Sequence, residues 1–152
     1  MFRSNIKIFP QFLKKVLYEY DSSKLELDIN KTQINILMLI YEHSAKSMSE
    51  ISLMTGLEKS SFTRSIDYLV KNGFITRNSP VNDRRKIKLS LTGKGLKAAK
   101  LIKKDFNAYL DSLISYFSEK EKEEFFNSLT TVTKYVSKIL ETNKRQSVQK
   151  IN

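Results

Sequence analysis

Apolar residues fall along this 152-residue chain in short periodic stripes separated by polar breaks. The first stripe, Phe9, Phe12, Leu13, Val16, Leu17 and Tyr20, has the spacing of one helix face. Pro10 suits a first helical turn, where its missing N–H is harmless, so a helix is expected over residues 10–21. In the next segment Asn30 is followed three residues later by Gln33, the signature of a capping box. Ile34 and residues 36–41 are apolar nearly all round, a pattern that by period alone fits either a buried strand or a buried helix. The cap, the length and the lack of valine decide for a central buried helix.

Ser47 and Glu50 repeat the capping box before a short helix that Gly56 ends, glycine being the residue that turns left-handed most cheaply. A further helix is expected at residues 59–72, with Phe62, Ile66, Leu69 and Val70 inward and Gly73 at its end. Two helices joined by a tight turn containing glycine are a helix-turn-helix. Residues 74–78 then read as a strand and 86–91 as its partner, Ile87, Leu89 and Leu91 alternating with Lys86, Lys88 and Ser90. The polar SPVNDRR between them makes a hairpin, and the whole a winged helix. Thr92 opens a long helix to about residue 116, with a stripe at Leu96, Ala99, Ile102, Phe106, Leu110, Leu113 and Phe117 close to a coiled-coil seam. Ser118 with Glu121 caps a last helix whose stripe is Phe125, Leu129, Val132, Val136, Ile139 and Leu140, and the polar tail after Lys144 is expected to fray. The fold class is therefore mainly α with a small β-hairpin wing: a winged helix-turn-helix flanked by further helices. One domain is expected over 1–152, with the winged helix-turn-helix in 30–92 and helical parts at 1–29 and 93–145.

Composition narrows the chemistry. The chain has no cysteine, which excludes disulfides, thiol sensing and cysteine-ligated zinc. The first residues lack a signal-peptide core, and the longest apolar run is too short for a bilayer, so a cytoplasmic protein with no membrane partner is expected. Charge changes the picture most: residues 56–104 hold 13 Lys/Arg against 3 Asp/Glu, while the other 103 residues hold 14 against 13. An excess confined to one third of a chain is the footprint of a polyanion-binding module.

Within that third, the second helix of the helix-turn-helix offers Lys59, Ser60, Ser61, Thr63, Arg64, Tyr68 and Lys71 on its solvent face. Small hydroxyl residues let the backbone approach a groove floor, and Arg64 has the fork to bind guanine or clamp a phosphate. The hairpin tip carries Asp83, Arg84, Arg85 and Lys86; a hairpin can pass an arginine into the minor groove, with Asp83 orienting it.

The stretch TGLEKSSFTRSIDYLVKNGFITRNSPVNDRRKIKLSLTGKG resembles the core of the MarR (multiple antibiotic resistance regulator) family, from recognition helix through the D-R-R wing to L-T-x-K-G. The likeness covers residues 32 to about 97. It implies that 30–92 is the DNA-binding part and that 1–29 and 93–145 supply the dimerisation helices of a homodimer, with two heads spaced for a pseudo-palindromic operator on double-stranded DNA, and most often a repressor. In many members it implies a small-molecule effector as well. Carried over by residue, Ser60, Ser61, Thr63 and Arg64 become major-groove contacts, Arg85 the minor-groove arginine, and Asp83 and Arg84 its supports. Leu53 and Met54 depart from the family, which often has polar residues there.

No enzyme is expected, and neither a cofactor nor a metal. His43 is the only histidine, placed as a helix-end residue, and LTGKGLKAAK fails the phosphate-loop pattern at Lys88 and Gly95. Tyr41, His43 and Phe12 are candidates for a pocket between head and dimer helices, although aromatics at this spacing more often belong to a core. Two other readings stay open: an effector-independent regulator or anti-regulator at promoters, and a winged-helix module for RNA or protein.

Overall fold

In the computed structural model, which describes residues 2–78 and 87–149, helix α1 covers Phe2–Tyr18 and carries Pro10 in its interior. The helix thus starts eight residues before the expected point and stops short of Asp21. Pro10, expected in a first turn, instead lies inside the helix, where it removes one ladder bond. At the other end Ser23 N–H donates to Asp21 Oδ1 at 2.9 Å, and a 3-10 turn at Ser23–Leu25 leads toward the next helix.

Helix α2 is Lys31–Glu42. Its expected capping box is present: Gln33 N–H donates to Asn30 Oδ1 at 3.0 Å and Asn30 N–H to Gln33 Oε1 at 2.8 Å. Those bonds are what let the Gln33 side chain lie buried beside Ile36, Leu37 and Ile40. Helix α3, Met48–Thr55, starts on the reciprocal Ser47–Glu50 box and ends at Gly56 with φ +64°. Helix α4, Lys59–Lys71, packs Phe62, Ile66 and Leu69 inward and gives way to Gly73 with φ +70°. Strands β1, Ile75–Asn78, and β2, Lys88–Leu91, pair antiparallel with Ile75 opposite Leu91 and Asn78 opposite Lys88. Each strand is shorter than expected at the end nearer the helices or the hairpin: Phe74 donates its N–H back to Leu69 O, and Ile87 lies before β2. A contact the period does not announce joins Ser47 to Lys88 as an isolated bridge, with Met48 N–H donating to Ile87 O at 2.8 Å.

Helix α5 covers Gly93–Leu113 and α6 covers Glu119–Gln149. The former ends before residue 116 because the chain tightens: Phe117 N–H donates to Ile114 O, and Ser118 already caps α6 through Glu121. Helix α6 continues past Lys144 to Gln149, where fraying was expected.

The described chain divides into two compact units, residues 1–109 and 110–152. The first has one continuous core in which α2 is central, built from Ile36, Leu37, Ile40, Ile51, Phe62, Ile66, Leu69, Phe74, Ile75, Leu89, Ala98 and Ile102. The end of α1 is fastened to α5 within this unit. Tyr20 OH donates to Asp105 Oδ2 at 2.8 Å, its ring stands edge-on to Phe106, Lys24 pairs with Asp105 at 3.0 Å, and Tyr109 OH donates to Lys15 O. Burial, and then the bond to Asp105, pushes the Tyr20 phenol pKa up, so this contact stays protonated at any ordinary pH. In the second unit Phe117 and Phe125 meet edge-to-face, while Phe126, Val132, Tyr135, Val136 and Ile139 of α6 are exposed.

Candidate nucleic-acid interface

Helix α4 turns its apolar stripe to the core, which leaves Lys59, Ser60 and Arg64 on the exposed face of its first turns. Its start differs from those of α2, α3 and α6 in its cap, since the Glu58 side chain makes no cap bond. The amides and the positive end of the helix dipole are thus left to an outside anion, with Lys59 beside them.

The side chains along this face are partly spoken for. Thr63 Oγ1 donates to Lys59 O at 2.8 Å and Ser65 Oγ to Ser61 O at 2.9 Å. Arg64 Nη2 donates to Ser61 Oγ at 3.3 Å, a long exposed contact that holds the guanidinium loosely over the helix start. Tyr68, expected on the solvent face, is half-buried, and its hydroxyl donates to Asp28 O at 2.8 Å. It ties the helix to the segment before α2 instead of facing outward.

Beside the start of α4 runs an open groove of about 640 Å³, walled by Met48 and Leu53 of α3, Lys59 and Thr63 of α4, and Ile87 next to β2. The hairpin stem projects from the other end of α4, where Arg77 on β1 is ion-paired to Asp67 on α4. That pairing fixes the stem against the helix. The tip residues Asp83, Arg84, Arg85 and Lys86 lie outside the described residues.

A helix-turn-helix with an uncapped basic second helix and an antiparallel stem following it is the layout of a winged DNA-reading head. Sequence comparison bears on the same segment, since residues 29–87 match the MarR family profile. Residues 29–87 are a MarR-family domain. The chain is 27% identical to the uncharacterized HTH-type transcriptional regulator YfiV of Bacillus subtilis (strain 168), over 82% of this chain and 76% of the relative. It is 24% identical to the HTH-type transcriptional repressor YetL of the same organism, over 66% of this chain and 62% of that one. Among solved structures, a MarR transcriptional regulator from Methanosarcina mazei Go1 superposes with a TM-score of 0.70 at 25% identity, covering 91% of this chain and 97% of that one. Through that domain the chain is similar to DNA-binding HTH-type transcriptional regulators.

The MarR fold brings Lys59, Ser60, Ser61, Thr63 and Arg64 together on two successive turns, as the sequence led one to expect. It does not bring Phe12, Tyr41 and His43 into either cleft described here. His43 is the C-cap of α2, its N–H donating to Leu39 O, and Tyr41 lies under Lys103 with the ammonium 5.7 Å from its ring. A second cleft, of about 420 Å³, is lined by Leu27, Phe74, Lys94, Lys97, Ala98 and Leu101. Lys94 sits 4.3 Å over the Phe74 ring and donates to Asn72 O. Among the described residues no group of three or more His, Asp or Glu is placed to hold a metal ion, and no helix is long and apolar enough to cross a membrane.

Two features of the MarR head escaped sequence reasoning. The Asp67–Arg77 pair joins residues ten apart on different elements, and no period marks such a pair. Thr92 is a hub: its hydroxyl donates to Gly73 O at 2.6 Å and accepts from Gly95 N–H at 3.0 Å, joining the end of α4 to the first turn of α5. The L-T-x-K-G motif signalled the start of a helix but not this joint.

Proposed function

We propose that the chain acts as a cytoplasmic homodimer that occupies a pseudo-palindromic operator and represses transcription from it. In this reading Lys59, Ser60, Ser61, Thr63 and Arg64 face the major groove, and Arg85, supported by Asp83 and Arg84, enters the minor groove, with Lys86 a further DNA contact of the wing. The observation that carries the proposal is the basic, solvent-facing start of α4, free of a side-chain cap bond, on a helix whose far end is tied to the hairpin stem by Asp67 and Arg77. The dimer is supported by apolar residues left in water on α1 (Ile8, Phe9, Leu13) and on α6 (Val132, Tyr135, Val136, Ile139). Two helices do not normally leave such stripes uncovered. The name of the relative YetL supports repression, and release by a small-molecule effector belongs to the same reading.

Selection from random DNA tests it. The expected product is an inverted repeat with half-site centres roughly 10 bp apart, one turn of the duplex. Sedimentation equilibrium at micromolar concentration is expected to give twice the 17.7 kDa chain mass. A single asymmetric half-site together with a monomer mass would overturn the proposal.

A further inference from the structure

The recognition face of α4 looks hydroxyl-rich on paper, but the hydroxyls of Thr63 and Ser65 donate back into the helix. The one proton of Thr63 Oγ1 is spent on Lys59 O, one turn back along the helix. A threonine whose oxygen bonds the preceding turn holds its methyl group at a different staggered position, so the carbon, not the proton, is free to meet a ligand. Ser65 is spent in the same way on Ser61 O, and Ser61 Oγ is engaged by Arg64. Next to Thr63, along the same groove, stands Leu53, which is 70% exposed. Together they place two apolar groups next to Lys59 at the edge of a cationic face.

The major groove carries one apolar mark among its donors and acceptors, the 5-methyl group of thymine. Cationic side chains suit phosphates and guanine; they have no use for a methyl group. We infer that the Thr63 methyl group and Leu53 read thymine methyl groups in the operator half-site. The inference rests on the proposed DNA-reading role of this face and adds the base it selects. It also assigns a role to Leu53, where the family often has a polar residue. The groove is continuous with the α4 face, so its occupant is the edge of the same duplex.

The test separates methyl from hydroxyl. The unaltered protein is titrated against its selected operator and against copies in which each half-site thymine is replaced, one position at a time, by deoxyuridine. Loss of one buried methyl contact is expected to weaken binding roughly fourfold at one or two positions per half-site. Thr63→Ser keeps the hydroxyl and removes the methyl; it is expected to lose that factor and become indifferent to deoxyuridine at its position. Thr63→Val keeps the methyl and is expected to retain the thymine preference, and Leu53→Ser to lose discrimination at the second position. The inference is overturned if the unaltered protein selects an operator yet ignores deoxyuridine throughout. It is equally overturned if Thr63→Ser keeps the preference and Thr63→Val loses it, which would show that the Thr63 methyl group is not what meets the thymine methyl. Failure to select any operator would instead bring down the DNA-reading role of the face, and the inference with it.

Discussion

The two ends of α4 are built on opposite plans. At its start there is no side-chain cap, the first turn is exposed, and an open groove runs alongside. At its end almost every polar group is tied down. Lys94 donates to Asn72 O, Thr92 to Gly73 O, Arg77 pairs with Asp67, Tyr68 bonds Asp28 O, and the first turn of α5 lies so close to Phe74 that only a glycine fits there. A helix held at both ends has no groups left to offer DNA, and one free at both has no fixed orientation. Fastening the far end leaves the near end unsatisfied yet aimed.

The largest effect should come from the fastened end. A Cβ on Gly95 would lie 1.9 Å from the Phe74 carbonyl oxygen, a backbone atom that cannot swing aside. Gly95→Ala is therefore expected to destabilise the fold by about 3 kcal/mol, the upper part of the range for overpacking. In a chain of this size that lowers the melting temperature by roughly 10 °C. An unchanged melting curve would show that α5 does not approach the strand as described.

At the free end the order reverses, with large effects on DNA and almost none on folding. Arg64→Ala is expected to relax preference at one half-site position by roughly 1–3 kcal/mol if it reads guanine bidentately. Arg85→Ala is expected to weaken binding and flatten its salt dependence by about one unit of slope per lost ionic contact. Discrimination should suffer chiefly at A·T-rich flanks, where the minor groove is narrow. Operator titrations across salt concentrations distinguish the two; equal, sequence-independent losses would mean that both arginines touch only phosphates.

Between these extremes lies the Asp67–Arg77 pair, which is exposed and therefore worth less than about 1 kcal/mol to folding. Its use is positional. Asp67→Asn should leave the melting temperature within a degree or two while weakening operator binding several-fold, because the stem is no longer held against the helix. If both quantities are unchanged, the stem is oriented by the β1–β2 ladder and Phe74 alone.

The smallest effect is expected with pH. Backbone and side-chain bonds from Ser47 hold the Glu50 carboxyl below its usual range, and Ser118 does the same for Glu121. Carboxylates with lowered pKa values stabilise fully above the ordinary carboxylate range, and that contribution is lost as pH falls through the folded-state values. Acid below about pH 4 should thus loosen the starts of α3 and α6. The start of α4, which has no such cap, should not respond. Amide exchange followed by pH checks this, and Glu50→Gln should remove the response at α3.

Local rules were legible in the sequence and long-range ones were not. Asn30 with Gln33, Ser47 with Glu50 and Ser118 with Glu121 are all pairs three residues apart, so each cap could be read directly and each is present. Gly56 and Gly73 likewise marked two helix ends, because a left-handed turn demands little beyond the residue itself. Pro10 misled, since its local preference for a first turn does not stop a helix from running through it. At the candidate site, sequence spacing put Lys59, Ser60 and Arg64 on one exposed face. It gave no means of telling which way the Thr63 hydroxyl turns, or that Tyr68 is engaged elsewhere. Those depend on torsions and on partners such as Asp28, forty residues away.

The bond from Met48 N–H to Ile87 O crosses from the first residue of α3 to the residue before β2. It is a wire between the helix pair and the return strand of the hairpin, and it belongs to neither element's own ladder. Lifting the return strand away from the helix pair breaks this bond and releases one amide proton to solvent. Met48 is therefore a built-in indicator, a single resonance whose exchange rate reports how often the hairpin leaves the helix pair.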